Sequence, residues 1–218
     1  MNNDFQYILF DLDGTLTDSG EGITKAAQYA LKHFGIEVED LNDLRKFVGP
    51  PLRDSYKNFY DFDDEKAEIG ITKFREYYTD KGIYENKVYD GVEETLKALK
   101  DNGKKLIVAT SKPEVHAKVV LDHFDLAKYF DFIGGADLEE TRVRKSDVIK
   151  YSMENVGIDD LSKVIMVGDR EHDIIGAKEN NIKSIGVLYG YGDVVELTQA
   201  RADYVVEKPQ DIIDIVVK

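Results

Sequence analysis

The chain has 218 residues, 42% of them hydrophobic, with no cysteine and a formal net charge of −14. That length suits one large domain, or a core domain carrying a smaller insertion, with apolar content enough to bury a core. The acidity argues against a broad nucleic-acid surface, and the lack of cysteine excludes a disulfide framework and a thiolate metal site.

No apolar run reaches membrane-spanning length, and Met1-Asn2-Asn3-Asp4 carries neither the basic start nor the apolar stretch of a secretory signal. A cytoplasmic protein without membrane partners is the expectation. Its oligomeric state, monomer or homodimer, is open at this point.

In chain order, Tyr7–Phe10 is a short apolar run and reads as a strand. The sequence then changes character. Ile23, Ala26, Ala27, Ala30, Leu31 and Phe34 recur at helical spacing, with Gly35 as a stop; 44–48, Leu52–Tyr60 and 67–79 also read as helices, without a strand between them. Beyond this stretch, strands and helices alternate. Val92, Leu96 and Leu99 share a helical face, as do Val115, Val119, Val120 and Phe124, and then Ile149, Met153 and Val156. Strands are expected at 105–109, 164–167, 184–188 and 203–206, and a closing helix at 210–217. Gly103, Gly157 and Asn180-Asn181 stand where helices should stop.

Such alternation predicts a parallel sheet with helices on both faces. The expected architecture is α/β: a Rossmann-like core over 1–18 and 87–218, interrupted by an all-helical cap over 19–86. Gly20, Gly22, Gly82 and Gly91 lie near the two crossings, where freely chosen backbone angles would allow a hinge.

Ligands of open parallel sheets bind beyond the carboxyl ends of the strands. After Tyr7–Phe10 comes Asp11-Leu12-Asp13-Gly14-Thr15-Leu16-Thr17, and after 105–109 comes Thr110-Ser111-Lys112-Pro113. Lys145 begins a helix, and 164–167 is followed by Gly168-Asp169-Arg170-Glu171-His172-Asp173. Singly, the last three read as a helix cap, an exposed lysine and an ordinary strand exit, whereas the first points to a site even by itself. Together, in this order, they point to one pocket. Three carboxylates crowded at strand ends repel one another unless a cation holds them, and hard oxygen donors suit Mg²⁺.

Asp11-Leu12-Asp13-Gly14-Thr15-Leu16, Thr110-Ser111-Lys112, Lys145 and Gly168-Asp169-x-x-x-Asp173 resemble the four motifs of the haloacid dehalogenase superfamily. Within it the chain resembles the phosphoglycolate phosphatase branch and its 5′-nucleotidase-like relatives. The resemblance implies that Asp11 is the nucleophile and a Mg²⁺ ligand. Asp13 would protonate the leaving alcohol, activate the hydrolytic water and bind the metal through its backbone carbonyl. Thr110 would hold a phosphate oxygen beside the Ser111 amide, and Lys145 would bridge nucleophile and phosphate. Asp169 would be a direct metal ligand, and Asp173 a ligand directly or through water.

Asp13 narrows the reaction, because dehalogenase and phosphonate-hydrolysing relatives lack an acid there. A phosphatase of a small phosphorylated metabolite is therefore implied, with a β-phosphoglucomutase-like sugar phosphomutase as the alternative. Gly49-Pro50-Pro51-Leu52-Arg53 resembles the cap segment that faces substrate in these phosphatases, so Arg53 is a substrate-binding candidate; a rigid turn ending in an exposed arginine explains it equally well. The cap aromatics read as cap core, His172 as a surface-loop residue, and Tyr189-Gly190-Tyr191-Gly192 as a turn without assigned chemistry.

Overall fold

Strand β1 (Tyr7–Phe10) is apolar throughout because it lies in the middle of a sheet, and its Ile8, Leu9 and Phe10 are buried. The structure is a computed structural model that describes residues 4–139 and 141–217. After β1 come β2 (Thr17–Asp18), α1 (Gly20–His33), α2 (Leu52–Tyr60), α3 (Asp64–Tyr77) and β3 (Lys87–Val88). The alternating part contains α4 (Val92–Asp101), β4 (Lys105–Pro113), α5 (Glu114–His123), β5 (Phe132–Ala136), α6 (Lys145–Val156) and β6 (Val164–Gly168). It continues with α7 (Glu171–Glu179), β7 (Lys183–Val187), α8 (Val194–Gln199), β8 (Tyr204–Val206) and α9 (Asp211–Val216).

The main sheet has six strands in the order β5-β4-β1-β6-β7-β8, every pairing parallel. Its central register aligns Phe10 with Val108 on one side and with Val167 on the other, so the loops after β1, β4 and β6 leave one edge together. Leu106–Ala109 and Val164–Val167 are wholly buried under flanking helices, which is why these strands read as unbroken apolar runs. Among the described residues no helix is long and apolar enough to cross a membrane.

Several sequence readings change. The edge strand β5 was not expected, because Gly134 and Gly135 interrupt its short apolar run. In α5 the inward face is Ala117, Val120 and Leu121, whereas Val115 and Val119 are exposed. Both stripes have helical spacing, and Val120 belongs to each, so periodicity alone does not choose between them. His172 lies in the first turn of α7 rather than in a surface loop, and burial holds its imidazole pKa down.

The chain divides into two compact units, one of which is Asp18–Lys87. That unit is helical, with α1 against α3 and a 3-10 turn at Leu41–Phe47. Its core includes an aromatic cluster: Tyr56 stacks on Phe62 at 5.6 Å and meets Phe47 edge-on at 5.2 Å. The two crossing segments, β2 and β3, pair as a two-stranded ribbon, an element the sequence did not suggest. Gly22 and Gly82 have a packing role. A Cβ on Gly22 would lie 1.9 Å from the Gly82 carbonyl oxygen, so only glycine permits this backbone approach.

Candidate active site

The site grows from the end of β1. The Asp11 N–H donates to Val167 O at 2.9 Å, extending the ladder by one residue, and the Leu12 N–H donates to Asp11 Oδ1 at 2.7 Å. The chain then folds back on itself, with the N–H groups of Leu16 and Thr17 both donating to Leu12 O. Gly14 makes the turn in the left-handed region, at φ 85°, and a Cβ there would lie 2.3 Å from Asp169 Oδ2. This turn leaves Asp11 and Asp13 buried at the sheet's carboxyl edge.

Lys145, the first residue of α6, reaches the same place. Its Nζ lies 2.7 Å from Asp11 Oδ1 and 2.9 Å from Asp173 Oδ1, an ion pair with both, and donates to Ala109 O at 3.1 Å. Burial opposes its charge, but Asp11 and Asp173 outweigh burial and raise its pKa. Burial raises the Asp11 carboxyl to about 6, against the pull of Lys145 and of a hydrogen bond from Thr110, and Asp173 adds to the rise. Asp169 is pushed well above the usual carboxylate range, by burial first and then by Asp173 and Asp11.

Asp169 is held from several sides. The Thr15 hydroxyl donates to its Oδ1 at 3.2 Å and the Tyr191 N–H to its Oδ2 at 2.8 Å, while the Tyr189 hydroxyl donates to Thr15 O at 3.1 Å. Added Cβ atoms at Gly190 and Gly192 would fall 2.4 Å from Asp169 Cβ and 2.0 Å from Asp169 O. The turn at 189–192 is therefore part of the site, and its two glycines were the sequence signal of a close backbone approach. Asp173 Oδ2 caps its own helix by accepting from the Arg170 N–H at 3.1 Å, and Gly168 leaves the room that Asp173 fills.

Asp13 has a different partner. Lys112 Nζ lies 2.8 Å from Asp13 Oδ1 and 2.7 Å from Oδ2, with both residues buried. Lys112 stood within a motif, but its partner was not legible without the backbone. Thr110 is buried beside Asp11 and accepts from the Lys112 N–H at 3.3 Å, and Ser111 next to it is half-buried. The structure thus brings together Asp11, Asp13, Thr110, Lys145, Asp169 and Asp173. Arg53 belongs to the other compact unit, where its guanidinium pairs with Glu68 and donates to Asp64 O at 3.4 Å.

Asp11, Asp169 and Asp173 each offer a carboxylate oxygen, all within 4.8 Å of one another. Counting Asp13, four carboxylates face two ammonium groups, which leaves two formal negative charges in a buried space. A divalent ion that prefers oxygen donors fits this set.

A parallel sheet with a lysine-bridged carboxylate cluster at its carboxyl edge, and an aspartate pair on the first loop, is an α/β core with its candidate site where such sheets bind ligands. Residues 8–187 match the family described as haloacid dehalogenase-like hydrolase, and the chain belongs to that family. It is similar to a 5′-nucleotidase of Pseudomonas aeruginosa, 44% identical over 190 residues, 87% of this chain and 86% of that protein. The tyrosine-protein kinase PtkA of Mycobacterium tuberculosis is 36% identical over 92% of this chain but 65% of its own length. A phosphoglycolate phosphatase of Aquifex aeolicus is 33% identical over 95% of each chain. Among solved structures, that of a predicted phosphatase from Clostridium acetobutylicum superimposes with a TM-score of 0.95 at 52% identity, over 98% of both chains. The protein is a phosphatase enzyme of this family.

Proposed function

We propose that the protein is a Mg²⁺-dependent phosphatase that hydrolyses a small phosphomonoester through an aspartyl-phosphate on Asp11. The observation that carries this reading is the placement of two buried aspartates on one loop with separate partners, Asp11 on Lys145 and Asp13 on Lys112. One is set beside the carboxylate cluster, as a nucleophile must be, and the other is kept apart for proton transfer.

Asp11 Oδ attacks phosphorus, and the ester P–O bond breaks toward the leaving oxygen, which takes a proton from Asp13. Water then attacks the same phosphorus, its proton passes to Asp13, and the aspartyl O–P bond breaks to restore the Asp11 carboxylate. Thr110 and the Ser111 N–H hold phosphoryl oxygens, and Lys145 spans the nucleophile and the transferred group. Asp11, Asp169, Asp173 and the Asp13 backbone carbonyl would hold Mg²⁺. When bound, the ion supplies positive charge where nucleophile and phosphoryl group would otherwise repel.

The names of similar proteins support a phosphoglycolate- or nucleotide-type ester as substrate. Residues 19–86 would form the cap that chooses among such esters, with Arg53 on it. The test is phosphate release across a panel of metabolite esters with Mg²⁺, joined to mass spectrometry of acid-quenched protein. One added phosphoryl group on Asp11 is expected, with net release of inorganic phosphate to water. Transfer to a protein tyrosine without release would replace hydrolysis by the activity named for PtkA.

A further inference from the structure

Resting on the phosphatase reading above, we propose that Lys112 is a positioning residue that aims the Asp13 carboxylate at the ester oxygen. The contact is two-pronged: Lys112 Nζ holds both Asp13 oxygens, at 2.8 and 2.7 Å. Their side chains are 4% and 11% exposed, so water competes little for either group. Contact to both oxygens restrains the carboxylate's rotation more than a single contact does.

The backbone is shaped to deliver this lysine. In β4, Thr110 pairs with Gly135 and Pro113 with Ala136, so three steps along β4 match one step along β5. Ser111 and Lys112 are the extra residues, and such an irregularity re-aims side chains at the rim of a sheet. The neighbouring strand accommodates it with glycine, since a Cβ on Gly135 would lie 2.7 Å from Lys112 O. Lys145 has other partners: it pairs with Asp11 and Asp173 and donates to Ala109 O. A buried ion pair adds little stability over apolar packing of the same volume, which favours a directional role for this one.

Asp13 passes a proton twice in each turnover, to the leaving oxygen and then from water, and both transfers need the carboxylate in hydrogen-bond reach. The first matters most for alkyl esters, whose leaving oxygens need protonation, and little for a nitrophenyl ester. The second is the same for every ester.

The experiment uses the full chain with Mg²⁺ and compares Lys112→Met, Lys112→Arg, Asp13→Asn and the double variant Asp13→Asn/Lys112→Met. Substrates are 4-nitrophenyl phosphate and the best alkyl ester of the panel, and circular dichroism verifies folding. Lys112→Met should lower kcat on the alkyl ester about 100-fold with KM nearly unchanged. With 4-nitrophenyl phosphate it should give a first-turnover burst slowed less than about tenfold, then accumulate phosphorylated Asp11. Lys112→Arg should recover part of the loss, and Lys112→Met should cost nothing further once Asp13 is Asn, because both act through one group. A raised KM with kcat preserved would instead make Lys112 a ligand of the substrate phosphate. Equal losses on both esters without phosphoenzyme, or losses that add in the double variant, would also overturn the proposal. These outcomes are distinct from failure of the phosphatase reading, which shows as wild-type protein that never carries phosphate on Asp11. Should Lys112→Met not fold, Lys112→Gln decides, because intact alkyl-ester turnover in that uncharged variant removes the need for the ion-paired contact.

Discussion

Lys145 Nζ sits 2.7 Å from Asp11 Oδ1, yet burial still lifts the Asp11 carboxyl to about 6. The lysine offsets only part of the cost of ionising Asp11 in this space, because it also serves Asp173. Asp11→Asn should therefore abolish turnover and, in metal-free protein at pH 7, raise stability. A rise from 3.8 to about 6 corresponds to about 3 kcal/mol, which is the upper bound of the gain. Chemical denaturation with chelator present checks it, and a variant less stable than the parent would contradict the assignment of burial as the dominant cause.

The same carboxyl gives a pH dependence whose sign is opposite to that of an ordinary salt-bridged aspartate. Between pH 3.8 and about 6 the folded chain keeps a proton on Asp11 that the unfolded chain has released. The unfolded state then binds fewer protons, so metal-free stability falls as pH rises through this window and levels off above it. Asp169, whose pKa is also raised, acts in the same direction. A divalent ion must displace these protons, so the rise in Tm caused by Mg²⁺ should be smaller at pH 5 than at pH 7. Thermal melts with and without Mg²⁺ across that range measure it; a Tm rise independent of pH would remove the carboxylate cluster as the metal site.

The turn at 189–192 should be as intolerant as the motifs themselves. A Cβ on Gly190 would lie 2.3 Å from Gly14 O and 2.4 Å from Asp169 Cβ, contacts that no side-chain rotation relieves. Gly190→Ala should displace the loop whose Tyr191 N–H holds Asp169, raising the Mg²⁺ concentration needed for half-maximal activity by about 10- to 100-fold. Tyr189→Phe loses only the hydroxyl contact to Thr15 O, worth about 1 kcal/mol, and should be far milder. Activity titrated against Mg²⁺ separates the two, and equal effects would show that the turn has no special hold on Asp169.

These residues mark where the sequence was legible and where it was not. Tyr7–Phe10 and the strand at Val164–Gly168 were readable because strands buried on both faces need unbroken apolar runs, and the carboxylates that follow them could only meet at one edge. The strand Phe132–Ala136 was hidden, since its two glycines look like a turn until Lys112 O and Ser152 Oγ are seen filling their space. The Lys112–Asp13 pair joins residues 99 positions apart through a register shift that no periodicity encodes. In α5, two helical stripes were equally apolar by pattern, and tertiary packing selected Ala117 and Leu121 over Val115 and Val119.

Arg53 offers a test of how the ester beyond its phosphate is chosen. Its guanidinium pairs with Glu68 and also donates to Asp64 O, so in the free protein its charge is already engaged within its own helical unit. Both partners of the Glu68 pair are partly exposed, at 30% and 58% of their side chains, so the pair is screened and a substrate anion can compete for the arginine. If Arg53 meets a distal carboxylate or second phosphate, Arg53→Ala should lower kcat/KM about 10-fold for esters that carry such a group and leave 4-nitrophenyl phosphate nearly unaffected. Glu68→Gln weakens this competing pair and should lower KM for the same anionic esters by a few-fold, about 3 to 10, again without effect on the aryl ester. The two variants thus move selectivity in opposite directions if Arg53 selects substrate. Parallel losses on every ester in Arg53→Ala, accompanied by a lower Tm in both variants, would instead make the Arg53–Glu68 pair a brace between α2 and α3.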